Sequence, residues 1–334
     1  MPQTLTVAHT PIGGSAAGAL EVATVARDAA RAALADAALT DSSALVADGG
    51  LTVVALHEAG EGDTDVHRVV WNALDAAMSA ARAIGAPGLG EGLTVDAFSG
   101  SLRGTGLSLA ELVMTERPAG PLVVLVGAGA SVGVFNLPLA RLFADPFATP
   151  GLVHAPGLRR GFNFEVHDLD EPRKRMFAAP AELHDLLQTL AETDRYLLQR
   201  VVTAEGSVVA VTSSARRSDV LGSAAEEDAP IAIVRTGNDA APLEDLVGIL
   251  RTPQIAWHGD GNLRPVTLRA FALHIAGGRL LEATDLTAGA DFEGARRQAR
   301  NVTGLLGAQG PFAPRRGMAD DGASGGDPKR WSER

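Results

Sequence analysis

The chain has 334 residues, 46% of them hydrophobic, which suffices for one large packed domain or two small ones. A formal charge of −11 excludes the basic surface that nucleic acid or an anionic membrane requires, leaving small molecules or proteins as partners. The absence of cysteine excludes disulfides, thiolate catalysis and cysteine-ligated metals, and just two lysines, Lys174 and Lys329, are there to act as an amine nucleophile.

Lys174 sits between Arg173 and Arg175, and Lys329 lies in a polar tail, so neither is read as catalytic. The first residues lack a basic and then apolar leader, and the longest apolar run, 121–135, is too short and glycine-rich to span a bilayer. A cytoplasmic protein is expected.

In chain order, residues 4–9 alternate as a strand, and an alanine-rich helix follows over about 21–38. Residues 51–57 form a second strand. Asp63, Thr64 and Asp65 offer N-caps for a long helix to about Ile84, with His67, Trp71, Leu74 and Met78 along one face. That stripe reads as core before it reads as a site. A glycine-rich loop, 85–92, leads to Asp96, and residues 122–126 form a continuous apolar strand.

Residues 127–133 then resemble a dinucleotide-binding turn. The spacing is not G-x-G-x-x-G, and Pro138 stands where the next helix should be running, so no cofactor is expected. Further on come a strand at 162–167, a helix at about 180–190, a hairpin with arms 196–202 and 207–212, a polar loop at 213–228 and a buried strand at 231–235. A helix at 243–250, a second hairpin with arms 268–274 and 279–282, and a last helix at 292–306 complete the reading. This mixture indicates an α/β (α+β) layered domain over residues 1–316, with 317–334 a disordered polar tail.

Several stretches carry a resemblance. Residues 96–103 (Asp-Ala-Phe-Ser-Gly-Ser-Leu-Arg), 136–139 (Asn-Leu-Pro-Leu), 143–153 (Phe-Ala-Asp-Pro-Phe-Ala-Thr-Pro-Gly-Leu-Val) and 161–166 (Gly-Phe-Asn-Phe-Glu-Val) are similar to the archaeal-type fructose-1,6-bisphosphate aldolase/phosphatase family. Val66-His67, Trp71-Asn72-Ala73, residues 233–235, 284–286 and 310–312 extend it from Leu5 to about Arg315. The resemblance implies an α-β-β-α sandwich assembled into a homo-oligomer. It also implies two reactions in one site: a lysine Schiff base condenses triose phosphates, and magnesium ions held by carboxylates and one histidine hydrolyse the product's phosphate.

The positions that the resemblance assigns to this chemistry hold other residues here. Pro11 replaces an aspartate, Gly18 or Ala19 the histidine, Gly49-Gly50 a pair of aspartates with Asp48 beside them, and Ala128-Gly129 an Asp-Lys. Glu227 stands at the lysine position, Asp228 remains, Ala229 replaces its neighbour, and two tyrosines fall at Pro87 and Ala224. Without these charges the pocket is expected to be apolar, to need no metal and no cofactor, and to suit an aromatic or apolar substrate better than a bisphosphorylated sugar.

Glu91, where the family carries a glutamine, is the candidate acid/base, because a lone carboxyl in an apolar cavity is pushed toward neutrality. Its bland alternative is a solvated loop glutamate. His9, Asp96, Ser99, Arg103, Phe135 and Asp228 are candidate substrate-binding residues, with Asp48, His154 and Glu227 also considered. Asp96 can equally cap the turn at Ser99-Gly100. The reading favours a metal-free enzyme of specialised metabolism that joins an amine and an aldehyde, as in a Pictet–Spengler cyclisation. A non-catalytic metabolite-binding or scaffold protein and a residual fructose-1,6-bisphosphate aldolase/phosphatase are the alternatives.

Overall fold

A computed structural model describes residues 2–12, 19–35, 37–47, 50–85, 107–128, 133–171, 173–193, 195–213, 230–237, 240–257, 263–308 and 332–333. Strands β1 (Gln3–Pro11), β2 (Asp41–Ala47), β3 (Gly50–His57) and β4 (Ser108–Met114) form an antiparallel sheet in the order β2-β3-β1-β4. The described side chains of β1 and β3 alternate between two covered faces, which is why β3 reads as almost continuously apolar and why the threonines of β1 are buried as well. Ala8, Val53 and Ala55 turn toward helices α1 (Ala19–Ala35) and α2 (Thr64–Ala83). Alanines of both helices, among them Ala26, Ala30, Ala73 and Ala77, are buried there and let the backbones approach closely. Asp63 caps α2, accepting from the amides of Asp65 and Val66 at 3.0 and 2.9 Å.

The other face of this sheet, with Leu5, Val7, Val54, Leu56 and Leu112, packs on a second sheet through Leu122, Val124, Val126, Ile231, Ile233 and Phe271. That sheet contains β5 (Leu122–Ala128), β6 (Phe162–Asp168), β7 (Arg173–Ala179), β8 (Tyr196–Thr203), β9 (Val208–Thr212) and β10 (Ile231–Arg235). After a separate ribbon of β11 (Ile255–Trp257) and β12 (Leu263–Pro265) comes β13 (Thr267–Leu273), which joins the large sheet. A second ribbon, β14 (Ile275–Ala276) with β15 (Arg279–Leu280), precedes β16 (Thr284–Asp285). With the terminal β17 (Ser332–Glu333), the order is β16-β13-β5-β10-β9-β8-β6-β7-β17. The outer core of this sheet lies under α3 (Asn136–Ala144), α4 (Gly151–His154), α5 (Leu183–Leu190), α6 (Leu243–Leu250) and α7 (Ala290–Gly307), with Phe143, Phe164, Phe177, Leu186 and Leu246 inside it. The fold is the four-layer α-β-β-α sandwich that the resemblance implies.

Two readings are corrected and two strands were not read. Residues 268–273 lie in β13, which pairs with β5 and β16, and the expected hairpin is reduced to the β14–β15 ribbon, with the His274 carbonyl accepting from the Leu281 amide at 2.8 Å. Asp41–Ala47 and Arg173–Ala179 are strands at or near sheet edges, where polar and basic side chains mask the pattern. Pro138 does not stop α3, because it falls in the first turn, where a missing N–H costs no helical hydrogen bond.

The family-like Asn136 has a structural part. Fully buried, it donates to the carbonyls of Leu190 and Tyr196 at 3.2 and 2.8 Å and accepts from the Leu198 amide at 3.0 Å, tying α3 to α5 and β8. Gly133 is required beside it, since a Cβ there would stand 2.4 Å from the Thr193 carbonyl oxygen.

Candidate functional site

Among the described residues, the candidate His9 stands at one end of the sandwich. At the other end, Arg117 donates to the Ile275 carbonyl at 3.4 Å and the Leu280 amide to Asp41 at 2.8 Å. Those ties align the Met114 and Leu56 ends of the small sheet with the Leu122 and Leu273 ends of the large one. The opposite ends therefore share a side: His9–Pro11, Gly50–Thr52 and Ser108 on the small sheet, and Ala128, Ile231 and Thr267 on the large one.

On the inner face of β3, β1 and β4 the apolar rows of Leu56, Leu5 and Leu112 and of Val54, Val7 and Ala110 give way here to a polar one, with His9 between Thr52 and Ser108. Thr52 and His9 are 1% and 2% exposed, and His9 Nδ1 lies 2.8 Å from Thr52 Oγ1. Burial lowers the His9 pKa to about 4, so the ring is neutral at neutral pH, a hydrogen-bonding group without charge.

Asp48, Glu91, Asp96, Ser99, Arg103, Glu227 and Asp228 lie outside the described residues.

Two candidates belong elsewhere. Phe135 is fully buried in the core beneath the outer helices, where it packs among apolar side chains. His154 is exposed on α4, in the outer layer of the large sheet. A groove of about 550 Å³ runs between α1, edge strand β2 and residues 280–285, and holds none of the candidate residues.

A second polar cluster lies on the helix-facing side of the small sheet. Thr6 Oγ1 donates to Glu111 Oε1 at 2.6 Å and lies 2.8 Å from His57 Nε2, and the Gly62 amide donates to Glu111 Oε2 at 2.7 Å. His67 Nε2 approaches Oε1 at 3.2 Å, out of hydrogen-bond alignment, and the Nδ1 atoms of His57 and His67 have no partner among the described residues. Burial raises the Glu111 pKa, but contacts from His67, Thr6 and Gly62 outweigh it and hold the carboxyl below its usual range. Burial is the main cause lowering the pKa of His57. The sequence reading placed His67 in an apolar stripe and passed over Glu111. An acid between Ala110 and Leu112 in a mostly apolar strand was the available signal.

Comparison with known proteins gives a consistent result. A family profile described as fructose-1,6-bisphosphatase matches residues 3–264. The fructose-1,6-bisphosphate aldolase/phosphatase of Sulfurisphaera tokodaii is 34% identical over 286 residues, 80% of this chain and 74% of that protein. Those of Ignicoccus hospitalis (33% over 285 residues, 80% and 74%) and Methanothermobacter marburgensis (32% over 291 residues, 81% and 80%) are similar to the same degree.

Proposed function

The chain belongs to the fructose-1,6-bisphosphate aldolase/phosphatase family, and from that premise we propose that it is an enzyme acting on fructose-1,6-bisphosphate or a close sugar phosphate, in residual form. The supporting observation is the match over residues 3–264, which takes in β1, β3, β4, β5 and β10, the strands whose ends meet around His9. In this reading Asp48, Asp96 and Asp228 move protons. Aldol cleavage breaks C3–C4 of the sugar as a base takes the C4 hydroxyl proton, and an acid later returns a proton to C3.

The family's magnesium cluster does not fit the residues present. Hard cations need several converging carboxylate oxygens, and Pro11, Gly49, Gly50 and Ala128 supply no side-chain oxygen. At Gly50 the space a side chain would take is filled, since a Cβ there would lie 2.4 Å from His9 Cε1. No step is therefore routed through a metal, nor through a lysine at position 227, which is glutamate.

The same substitutions favour a second reading: metal-free joining of an amine and an aldehyde, with Glu91 shuttling protons through imine formation and ring closure. The two readings part in one set of assays. Purified protein is incubated with fructose-1,6-bisphosphate, and triose phosphates and inorganic phosphate are measured. The first reading expects turnover that falls on the order of 100-fold in Asp96→Asn or Asp228→Asn. No turnover by the parent protein, with product formed from an aromatic amine and an aldehyde, transfers the assignment to the second. The resemblance further implies a homo-oligomer, and the 95% exposed ring of Phe147, within the family-like segment 143–153, suits a subunit contact.

A further inference from the structure

His9 and Gly50 are placed by different strands, yet their geometry makes them one unit. His9 Nδ1 is held by Thr52 Oγ1 at 2.8 Å, which turns the opposite edge of the ring over Gly50. A Cβ at position 50 would stand 2.4 Å from Cε1 and 2.5 Å from Nε2, separations that real Cβ atoms do not show. Gly50 is not among the glycines of positive φ, so the ring, not the backbone, is what demands glycine there. A side chain at position 50 and this His9 orientation exclude each other.

We propose that Gly50 is a seat for the imidazole of His9, and that His9 so seated is a positioning residue that hydrogen-bonds a hydroxyl of the bound substrate at the polar end of the sandwich. On β3, β1 and β4 the row Thr52–His9–Ser108 follows the apolar inner rows of Leu56, Leu5 and Leu112 and of Val54, Val7 and Ala110, and a buried polar group persists where it has hydrogen-bonding work. A neutral ring suits an uncharged hydroxyl better than a phosphate, which attracts arginine or lysine. The ligand half of the proposal rests on the sugar-phosphate reading above, and the seat does not.

The test uses the full chain and five proteins: the parent, Gly50→Ala, His9→Ala, the double variant and His9→Gln. Affinity for fructose-1,6-bisphosphate is measured by calorimetry, and unfolding midpoints in urea. The expected result is binding weakened about 3- to 10-fold in His9→Ala and in Gly50→Ala, the worth of one neutral hydrogen bond. The double variant should be no worse than His9→Ala, and His9→Gln, which returns a nitrogen donor near Nε2, should recover part of the loss. Parent-like binding in both single variants overturns the positioning role. If the parent itself does not bind fructose-1,6-bisphosphate, the sugar-phosphate reading and that role fall together. The midpoints then decide the seat alone: Gly50→Ala must lower the midpoint with His9 present and leave it unchanged in His9→Ala. Equal shifts in both backgrounds overturn it.

Discussion

Replacing Glu111 with alanine removes the acceptor on which three groups converge: the Thr6 hydroxyl at 2.6 Å, the Gly62 amide at 2.7 Å and His67 Nε2 at 3.2 Å. The Gly62 amide is on an exposed turn and can turn to water, and the fully buried Thr6 hydroxyl keeps His57 Nε2 at 2.8 Å but loses the carboxylate it donates to, while buried His67 loses the charge beside it. Losing the hydrogen bonds of one buried carboxylate costs about 1–3 kcal/mol, so the alanine variant should lose about 1–3 kcal/mol of stability. Glu111→Gln keeps the volume and one acceptor, and should lose about 1–2 kcal/mol. The two variants should also differ from the parent in their response to acid. Desolvation raises the Glu111 pKa, but the His67 contact and the hydrogen bonds from Thr6 and Gly62 win and leave it lowered. A carboxyl whose folded pKa is depressed stabilises the fold fully above its unfolded pKa of about 4.3, and the contribution is lost as pH falls through the folded value. Glu111→Gln should remove that part of the acid limb. Urea unfolding followed by far-UV circular dichroism, at pH 7 and at steps below pH 5, measures both effects. An alanine variant within about 0.5 kcal/mol of the parent at pH 7 would refute the reasoning, because that is the range of substitutions that touch nothing.

His9 supplies a second acid effect of opposite origin: a base whose folded pKa is lowered from 6.5 to about 4 costs stability as pH falls below 6.5. The loss should reach about 2 kcal/mol at pH 5 and be absent in His9→Ala, measured by urea unfolding at pH 7 and pH 5. Borohydride added with dihydroxyacetone phosphate should leave the mass of the intact chain unchanged, whereas a stable adduct would restore a lysine Schiff base. If the amine–aldehyde reading holds, Glu91→Gln should lower turnover of that condensation by roughly 100-fold with unfolding unaltered. Phe147→Ser should shift light-scattering mass toward smaller species if the exposed ring lies in a subunit contact, and an unchanged mass removes it from the interface.

Residues buried on both sides were the most legible. Ile231–Arg235 and Leu243–Leu250 appear at the boundaries their patterns suggest, one as a central strand and the other as an amphipathic helix after Pro242. Edges were not: in Arg173–Ala179 the residues are largely basic or small, and it takes the structure to show Arg175 lying 4.0 Å over the Phe177 ring. The pairing of β13 with β5 joins residues more than 130 apart, and local alternation carries no information about such partners. At the site, His9 was readable as a candidate near the end of the first strand, but its dependence on Gly50 was not, since adjacency across two strands is a property of register. Phe135 misled for a related reason. It follows a glycine-rich turn in sequence, yet its ring points into the core of the outer layer.

The account holds that the family frame persists while the positions around Gly50 no longer build a metal site. The most direct test is the magnesium content of protein equilibrated with the ion and then desalted, paired with fructose-1,6-bisphosphate turnover before and after chelation. The account predicts no stoichiometric magnesium and no dependence of any turnover on the chelator. Two or more tightly bound ions per chain, with activity lost on their removal, would contradict it.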